Sequence, residues 1–288
     1  MDASIIYTVV TLAAIGGLSA VILFFVAQKF RVYEDPRIDT VESALPGANC
    51  GGCGYAGCRA FAEACVKGND LSQLFCPVGG NEGMEGVAKI LGLEAVRKDP
   101  RVAVVRCSGT CEYRPRINQY DGVKSCAIIH NLYSGETGCQ YGCVGCADCW
   151  VVCDFDAIHM NPVTGLPEVN DEKCTACGAC VIACPKDLIE LRKKNSKGRK
   201  IYVACRNEEK GGIARKSCQV ACIGCSKCID VCAYDAITIG KNLAFIDSDK
   251  CRLCRKCVEV CPTHSILEVG FPPRKARPVE AESTTVNQ

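Results

Sequence analysis

Cys143-Val144-Gly145-Cys146-Ala147-Asp148-Cys149-Trp150-Val151-Val152-Cys153 and Cys174-Thr175-Ala176-Cys177-Gly178-Ala179-Cys180-Val181-Ile182-Ala183-Cys184 are two copies of the pattern C-x2-C-x2-C-x3-C. Two further copies follow, Cys222/Cys225/Cys228/Cys232 and Cys251/Cys254/Cys257/Cys261. A 4Fe–4S cube needs four thiolates aimed inward at its corners. Three cysteines spaced by two residues fit on one tight loop, and the fourth ligand comes from elsewhere. In two-cluster ferredoxins that ligand is the last cysteine of the other motif. The crossed rule predicts cluster A1 on Cys143, Cys146, Cys149 and Cys184, and cluster A2 on Cys174, Cys177, Cys180 and Cys153. It predicts B1 on Cys222, Cys225, Cys228 and Cys261, and B2 on Cys251, Cys254, Cys257 and Cys232. Zinc ribbons use two C-x2-C pairs and have no need of a third cysteine two residues on.

The repeat extends beyond the cysteines. Ile158, Ile189, Ile237 and Ile266 each follow the last cysteine of a motif by five residues, within segments that read as short strands after a helical turn. Each pair of motifs is preceded by a β-like run, Val102 to Cys107 and Ile201 to Cys205. Nearer the N-terminus, Cys50-Gly51-Gly52-Cys53-Gly54-Tyr55-Ala56-Gly57-Cys58 and Cys76-Pro77 form a different group. We read Cys50, Cys53, Cys58 and Cys76 as a fifth site, cluster N, with glycines that let the backbone wrap closely around it. The G-x-G-x-x-G string inside this group is not a dinucleotide fingerprint, because no strand precedes it and cluster ligands occupy its intervening positions.

These sets use 20 of the 27 cysteines, leaving Cys65, Cys107, Cys111, Cys126, Cys139, Cys205 and Cys218. The plain reading is that they pack as small apolar residues. The alternative is a sixth cluster on Cys107, Cys111, Cys126 and Cys139, although their spacing matches no known motif. Cys139 and Cys218 each precede a motif by four residues, so either could also replace a ligand of A1 or B1. His130, His159 and His264 show no ligand spacing, and no nucleotide loop or hydrolytic triad is present.

Composition excludes other classes. With 288 residues the chain is too long for a small disulfide scaffold, and it carries no convincing secretory signal. A net charge of +2 and 6% aromatic content give nucleic acid neither a strong field nor a stacking platform. Ile5 to Ala27 is an uncharged apolar run, long enough at about 34 Å to cross a bilayer. Asp2 lies before it, and Lys29 and Arg31 lie after it. This places the N-terminus outside and the cysteine-rich body in the cytoplasm. Ala13/Gly17 and Gly16/Ala20 offer small faces for a partner helix. A basic stretch from Arg192 to Lys200, with Arg215 and Lys216, reads either as a docking patch for an acidic electron carrier or as a solvated linker.

The predicted fold is α+β: a transmembrane helix (1–27), a linker (28–40) and a small α-rich 4Fe–4S domain (41–98). A strand-led connecting segment (99–138), ferredoxin-like module A (139–194), a basic linker (195–217), module B (218–270) and a disordered tail (271–288) follow. An N-terminal helix, then Leu45-Pro46-Gly47-Ala48-Asn49 leading into the Cys50 group, then ferredoxin motifs, resembles the B subunit of the Rnf-type ion-translocating ferredoxin:NAD oxidoreductase. The resemblance spans nearly the whole chain. Short forms of that family carry one ferredoxin module; the two here resemble the longer versions from anaerobes. The resemblance implies that reduced ferredoxin donates electrons and that flavin- and NAD-binding subunits receive them. It also implies that Na+ or H+ is moved across a bacterial plasma membrane. On that reading the chain is one component of a translocase, with no complete active site of its own. The alternative is a membrane-anchored polyferredoxin serving another redox enzyme or regulator.

Overall fold

The computed structural model describes residues 3–30, 34–68, 70–133, 135–195 and 197–273, with side chains of the first helix from Ile6 onward. Arg31 and the expected tail from residue 274 lie outside the described residues. From Ile6 onward every residue of helix α1 (Ala3–Lys29) is exposed, with Leu12, Leu18, Leu23 and Phe25 all above 60%. Its Ile6–Lys29 segment has a mean hydropathy of 2.5 and is long enough to span a bilayer. A bare apolar cylinder of this length suits hydrocarbon, not water.

Helices α2 (Arg37–Ala44), α3 (Cys58–Lys67) and α4 (Gly80–Leu91) form the first globular unit. Each contributes a helically spaced apolar stripe: Ile38 and Val41, Phe61, Ala62 and Cys65, then Met84, Val87 and Ala88. Arg59 of α3 bridges to Asp39 at 3.0 Å and Glu42 at 2.9 Å on α2, and also to Glu34. Because Ile38 is buried in this core, the unit starts inside the stretch expected to be linker.

The next two units share one topology. In the first, β1 (Arg101–Val105), α5 (Cys126–Leu132), α6 (Asp148–Val151), β2 (Ile158–Met160), β3 (Pro167–Val169), α7 (Ala179–Ala183) and β4 (Ile189–Lys193) follow in order. In the second the order is β5 (Lys200–Val203), α8 (Gly211–Ser217), α9 (Lys227–Asp230), β6 (Ile237–Gly240), β7 (Leu243–Ile246), α10 (Lys256–Glu259) and β8 (Ile266–Val269). The outer strands pair antiparallel, with Val105 opposite Ile189 and Val203 opposite Ile266. The inner hairpins pair β2 with β3 and β6 with β7. The strands after each motif therefore form where the sequence places them. The leading strands differ from expectation, since β1 and β5 do not connect modules but close them. Phe271, expected to lie in the tail, takes the guanidinium of Arg199 at 5.4 Å and of Arg255 at 4.9 Å over its ring.

The two modules meet through β1/β4 and β5/β7. Val104, Tyr202 and Ala204 form an apolar contact, flanked by a buried charge network. Arg106 donates to Val203 O at 3.3 Å and Cys205 O at 3.2 Å, and pairs with Glu190 at 3.3 Å. Arg192 pairs with the same Glu190 and lies over Phe245. The basic stretch is thus largely consumed by the fold. Arg192 and Lys200 are buried, and Lys200 binds Asp171 at 2.6 Å. Lys193 pairs with Asp99 at 2.6 Å, and Lys194 donates to Asp171 O at 2.7 Å. Lys197 and the α8 pair Arg215 and Lys216 keep the exposure the docking idea required of them.

Candidate iron–sulfur centres

Three left-handed backbone positions recur in every motif. The residue two after the first cysteine has positive φ: Gly145, Ala176, Gly224 and Leu253. So does the residue after the second: Ala147, Gly178, Ser226 and Arg255. So does the residue three after the last: Asp156, Asp187, Asp235 and His264. Non-glycine residues adopt this region at a cost, and asparagine, aspartate and histidine tolerate it best. A loop wound this way turns cysteine side chains and backbone N–H groups toward one interior point.

Those points are cavities. Cys222, Cys225, Cys228 and Cys261 line one of about 330 Å³, walled by Ile239, Ala244 and Ile266. Cys232, Cys251, Cys254 and Cys257 line another of about 320 Å³, beneath Ile201, Ile237 and Ile246. In each, three cysteines come from one motif and the fourth from its partner. Cys225 and Cys254 are exposed, whereas every cysteine of the A1 and A2 sets is buried or half-buried.

In the first module, Cys143, Cys149 and Cys184 line a cavity of about 420 Å³ together with Cys126. Cys146 lies beside Cys126 and hydrogen-bonds it. Cys126 therefore adds a fifth thiol to the A1 group. Cys180 has Cys174, Cys177 and Cys153 as electrostatic neighbours, the A2 set. In the helical unit, Cys50, Cys53, Cys58 and Cys76 line about 330 Å³ with Phe61, Pro46 and Val78. Asn49 braces that loop by accepting the Cys58 N–H at 2.8 Å.

The donor chemistry fits iron–sulfur cubes. Backbone N–H groups point at the sulfurs: Gly79 to Cys76 at 3.3 Å, Ala157 to Cys153 and Leu188 to Cys184 at 3.4 Å, and Ala103 to Cys174 at 3.5 Å. Burial, then neighbouring thiols, pushes Cys149, Cys180 and Cys257 up to about 12 and Cys146 and Cys228 up to about 11. Clustered, desolvated thiols ionise together only around a compensating cation, which an iron core supplies. Among the described residues, no three His, Cys, Asp or Glu side chains converge closely enough for a single metal ion. The thiols surround voids instead.

The remaining cysteines separate. Cys65 is fully buried in the helical core, where burial raises its thiol to about 11, and it packs as an apolar residue. Cys111 is exposed near Thr164. Cys107 and Cys139 line a cavity of about 300 Å³ with Cys205 and Cys218, and its lining includes neither Cys111 nor Cys126. The grouping Cys107, Cys111, Cys126 and Cys139 is therefore corrected. The idea that Cys139 or Cys218 serves A1 or B1 also gives way, because both face this separate void. His159 is exposed and pairs with Glu168 at 3.3 Å, away from these cavities.

Comparison with known proteins agrees with this layout. Residues 45–77 match the Fe-S cluster family, and residues 142–188 and 221–265 each match the 4Fe-4S dicluster domain. The B subunit of the Na(+)-translocating ferredoxin:NAD(+) oxidoreductase complex of Acetobacterium woodii is 45% identical over 91% of this chain and 78% of its own length. The B subunit of an ion-translocating oxidoreductase complex from Methanosarcina acetivorans is 38% identical over 92% of this chain and 99% of its own. The B subunit of the proton-translocating ferredoxin:NAD(+) oxidoreductase complex of Clostridium ljungdahlii is 38% identical over 92% and 93%.

Proposed function

Because the chain belongs to the B-subunit family of ion-translocating oxidoreductase complexes, we propose that it is the port through which reduced ferredoxin feeds electrons to its complex. The 4Fe–4S domains make it an electron relay of a membrane complex. The crossed cavities carry the finer assignment. Cys261 sits with Cys222, Cys225 and Cys228, and Cys232 sits with Cys251, Cys254 and Cys257, the arrangement of a two-cluster ferredoxin. The same logic assigns A1 to Cys143, Cys146, Cys149 and Cys184, A2 to Cys174, Cys177, Cys180 and Cys153, and N to Cys50, Cys53, Cys58 and Cys76.

The body faces the cytoplasm, where ferredoxin and NAD are found and free thiols stay reduced. Ion selection belongs to other subunits. The relatives are named for Na+ in one case and protons in another. The apolar span of this chain holds no Asp, Glu, Lys, Arg or His with which to choose between them.

The test is reduction of the anaerobically purified chain by stoichiometric reduced ferredoxin, followed by visible bleaching and EPR. Reduction within the mixing time supports the donor assignment. Clusters that dithionite reduces but ferredoxin does not would remove it.

A further inference from the structure

We propose that Cys107, Cys139, Cys205 and Cys218 hold a sixth 4Fe–4S cluster, placed between the two ferredoxin-like modules so that it joins them electrically. The proposal rests on the iron–sulfur reading of the other five sites.

Each module contributes a matching pair. Cys107 lies two residues beyond the end of β1, and Cys205 lies two beyond the end of β5. Cys139 precedes Cys143 by four residues, and Cys218 precedes Cys222 by four. The fold brings these equivalent positions of the repeat to one void, where neither module alone could assemble four thiols. Cys139, Cys205 and Cys218 are each less than 9% exposed.

The void is built like the others. Four cysteines line it, as four line each of the second module's two sites. Asn207 donates its backbone N–H to Cys205 Sγ at 3.4 Å and its side-chain amide to Cys139 Sγ at 3.7 Å. Backbone N–H groups of Tyr141, Val220 and Cys222 reach Cys139, Cys218 and Cys205. Gly109 leaves the room this needs, since a Cβ there would lie 3.0 Å from Cys218 Sγ.

Charge completes the case. Arg114 is 5% exposed and lines the void, and its hydrogen bonds go to backbone carbonyls: Gly109 O at 3.1 Å and Cys143 O at 2.6 Å. A buried guanidinium requires a nearby anion. Four cysteinates around an iron–sulfur core give the site a net negative charge, and Arg114 lies beside it.

The position defines the role. Cys107 lies close to Cys143 of A1, and Cys205 accepts the backbone N–H of Cys222 in B1. An electron arriving from A1 reduces the cluster by one unit, and passing it to B1 restores the oxidised state. No atoms move. The series N, A2, A1, sixth cluster, B1 and B2 then runs through adjacent sites, because Gly52 of the N loop abuts Cys177 of A2.

The test is iron, acid-labile sulfide and zinc per chain on the full-length protein prepared anaerobically, alongside Cys205→Ser, Cys107→Ser and a Cys111→Ser control. The proposal expects about 24 iron atoms in the native chain and in the control, and about 20 in the two variants. EPR of the variants should keep the signals of the other clusters while the interaction between the modules disappears. About 20 iron atoms in the native chain, with or without one zinc, overturns the sixth cluster and leaves the relay standing. An unchanged iron count in both variants overturns the ligand set. If a variant fails to fold, the native count decides alone. Zinc with no iron would remove the relay reading as well.

Discussion

Ser265 is 1% exposed and sits 3.3 Å from the sulfur of Cys261, with Thr263 3.8 Å away on the same sulfur. The corresponding positions after the other motifs are Ala157, Leu188 and Ala236, which have no hydroxyl. Although burial raises the Cys261 thiol, hydrogen bonds from Ser265 and Thr263 outweigh it and hold the thiol below its ordinary range. The same bonds favour the more negative, reduced state of a cluster bound there. Ser265→Ala should therefore lower the B1 potential. One hydrogen bond of about 1 kcal/mol corresponds to roughly 40 mV for one electron. Redox titration followed by EPR reads the shift, and an unchanged midpoint would mean that the hydroxyl does not act on the cluster.

Glu190 on β4 pairs with both Arg106 and Arg192 within the first module, at its seam with the second. Removing it would leave two buried guanidiniums against Phe245 without their anion. Glu190→Gln is expected to destabilise the folded chain by about 3 kcal/mol, because breaking a buried pair leaves an uncompensated charge. Anaerobic denaturant unfolding should show a lower midpoint at unchanged slope. A midpoint equal to the native one would show that the network is solvated. These strands also mark what the sequence could not express. The periodic cysteines and the strands beginning at Ile158 and Ile237 are local, so they were legible. The pairing of Val105 with Ile189 spans more than eighty residues and has no local signature. The basic stretch looked exposed for the same reason: Asp171 and Asp99, which neutralise Lys200 and Lys193, are distant in the chain. Cys107, Cys139, Cys205 and Cys218 did carry a signal, their equal offsets from equivalent strands and motifs, but it appears only when the repeat is aligned beyond the motifs.

At the scale of the molecule, the helical unit meets the first module at Gly52, where a Cβ would sit 2.6 Å from the carbonyl oxygen of Cys177. Backbone cannot yield there as a flexible side chain would, so Gly52→Ala should push the N loop away from A2. Iron content is expected to remain at the native value, while electron transfer between the N cluster and the modules slows. Stopped-flow reduction with resolved EPR checks this, and native rates would place the N loop's contact elsewhere. The unpacked α1 tethers the whole series to the bilayer, and its apolar length was plain from composition alone.

Cys225 and Cys254 are exposed, while the A1 and A2 cysteines are buried or half-buried. A cluster corner open to a passing acceptor is equally open to dissolved oxygen, because sulfur oxidation follows accessibility. The second module is therefore the corrodible end of the protein. During brief aeration its clusters should bleach before those of the first module, so the site best exposed for exchanging electrons also limits how much air the protein survives.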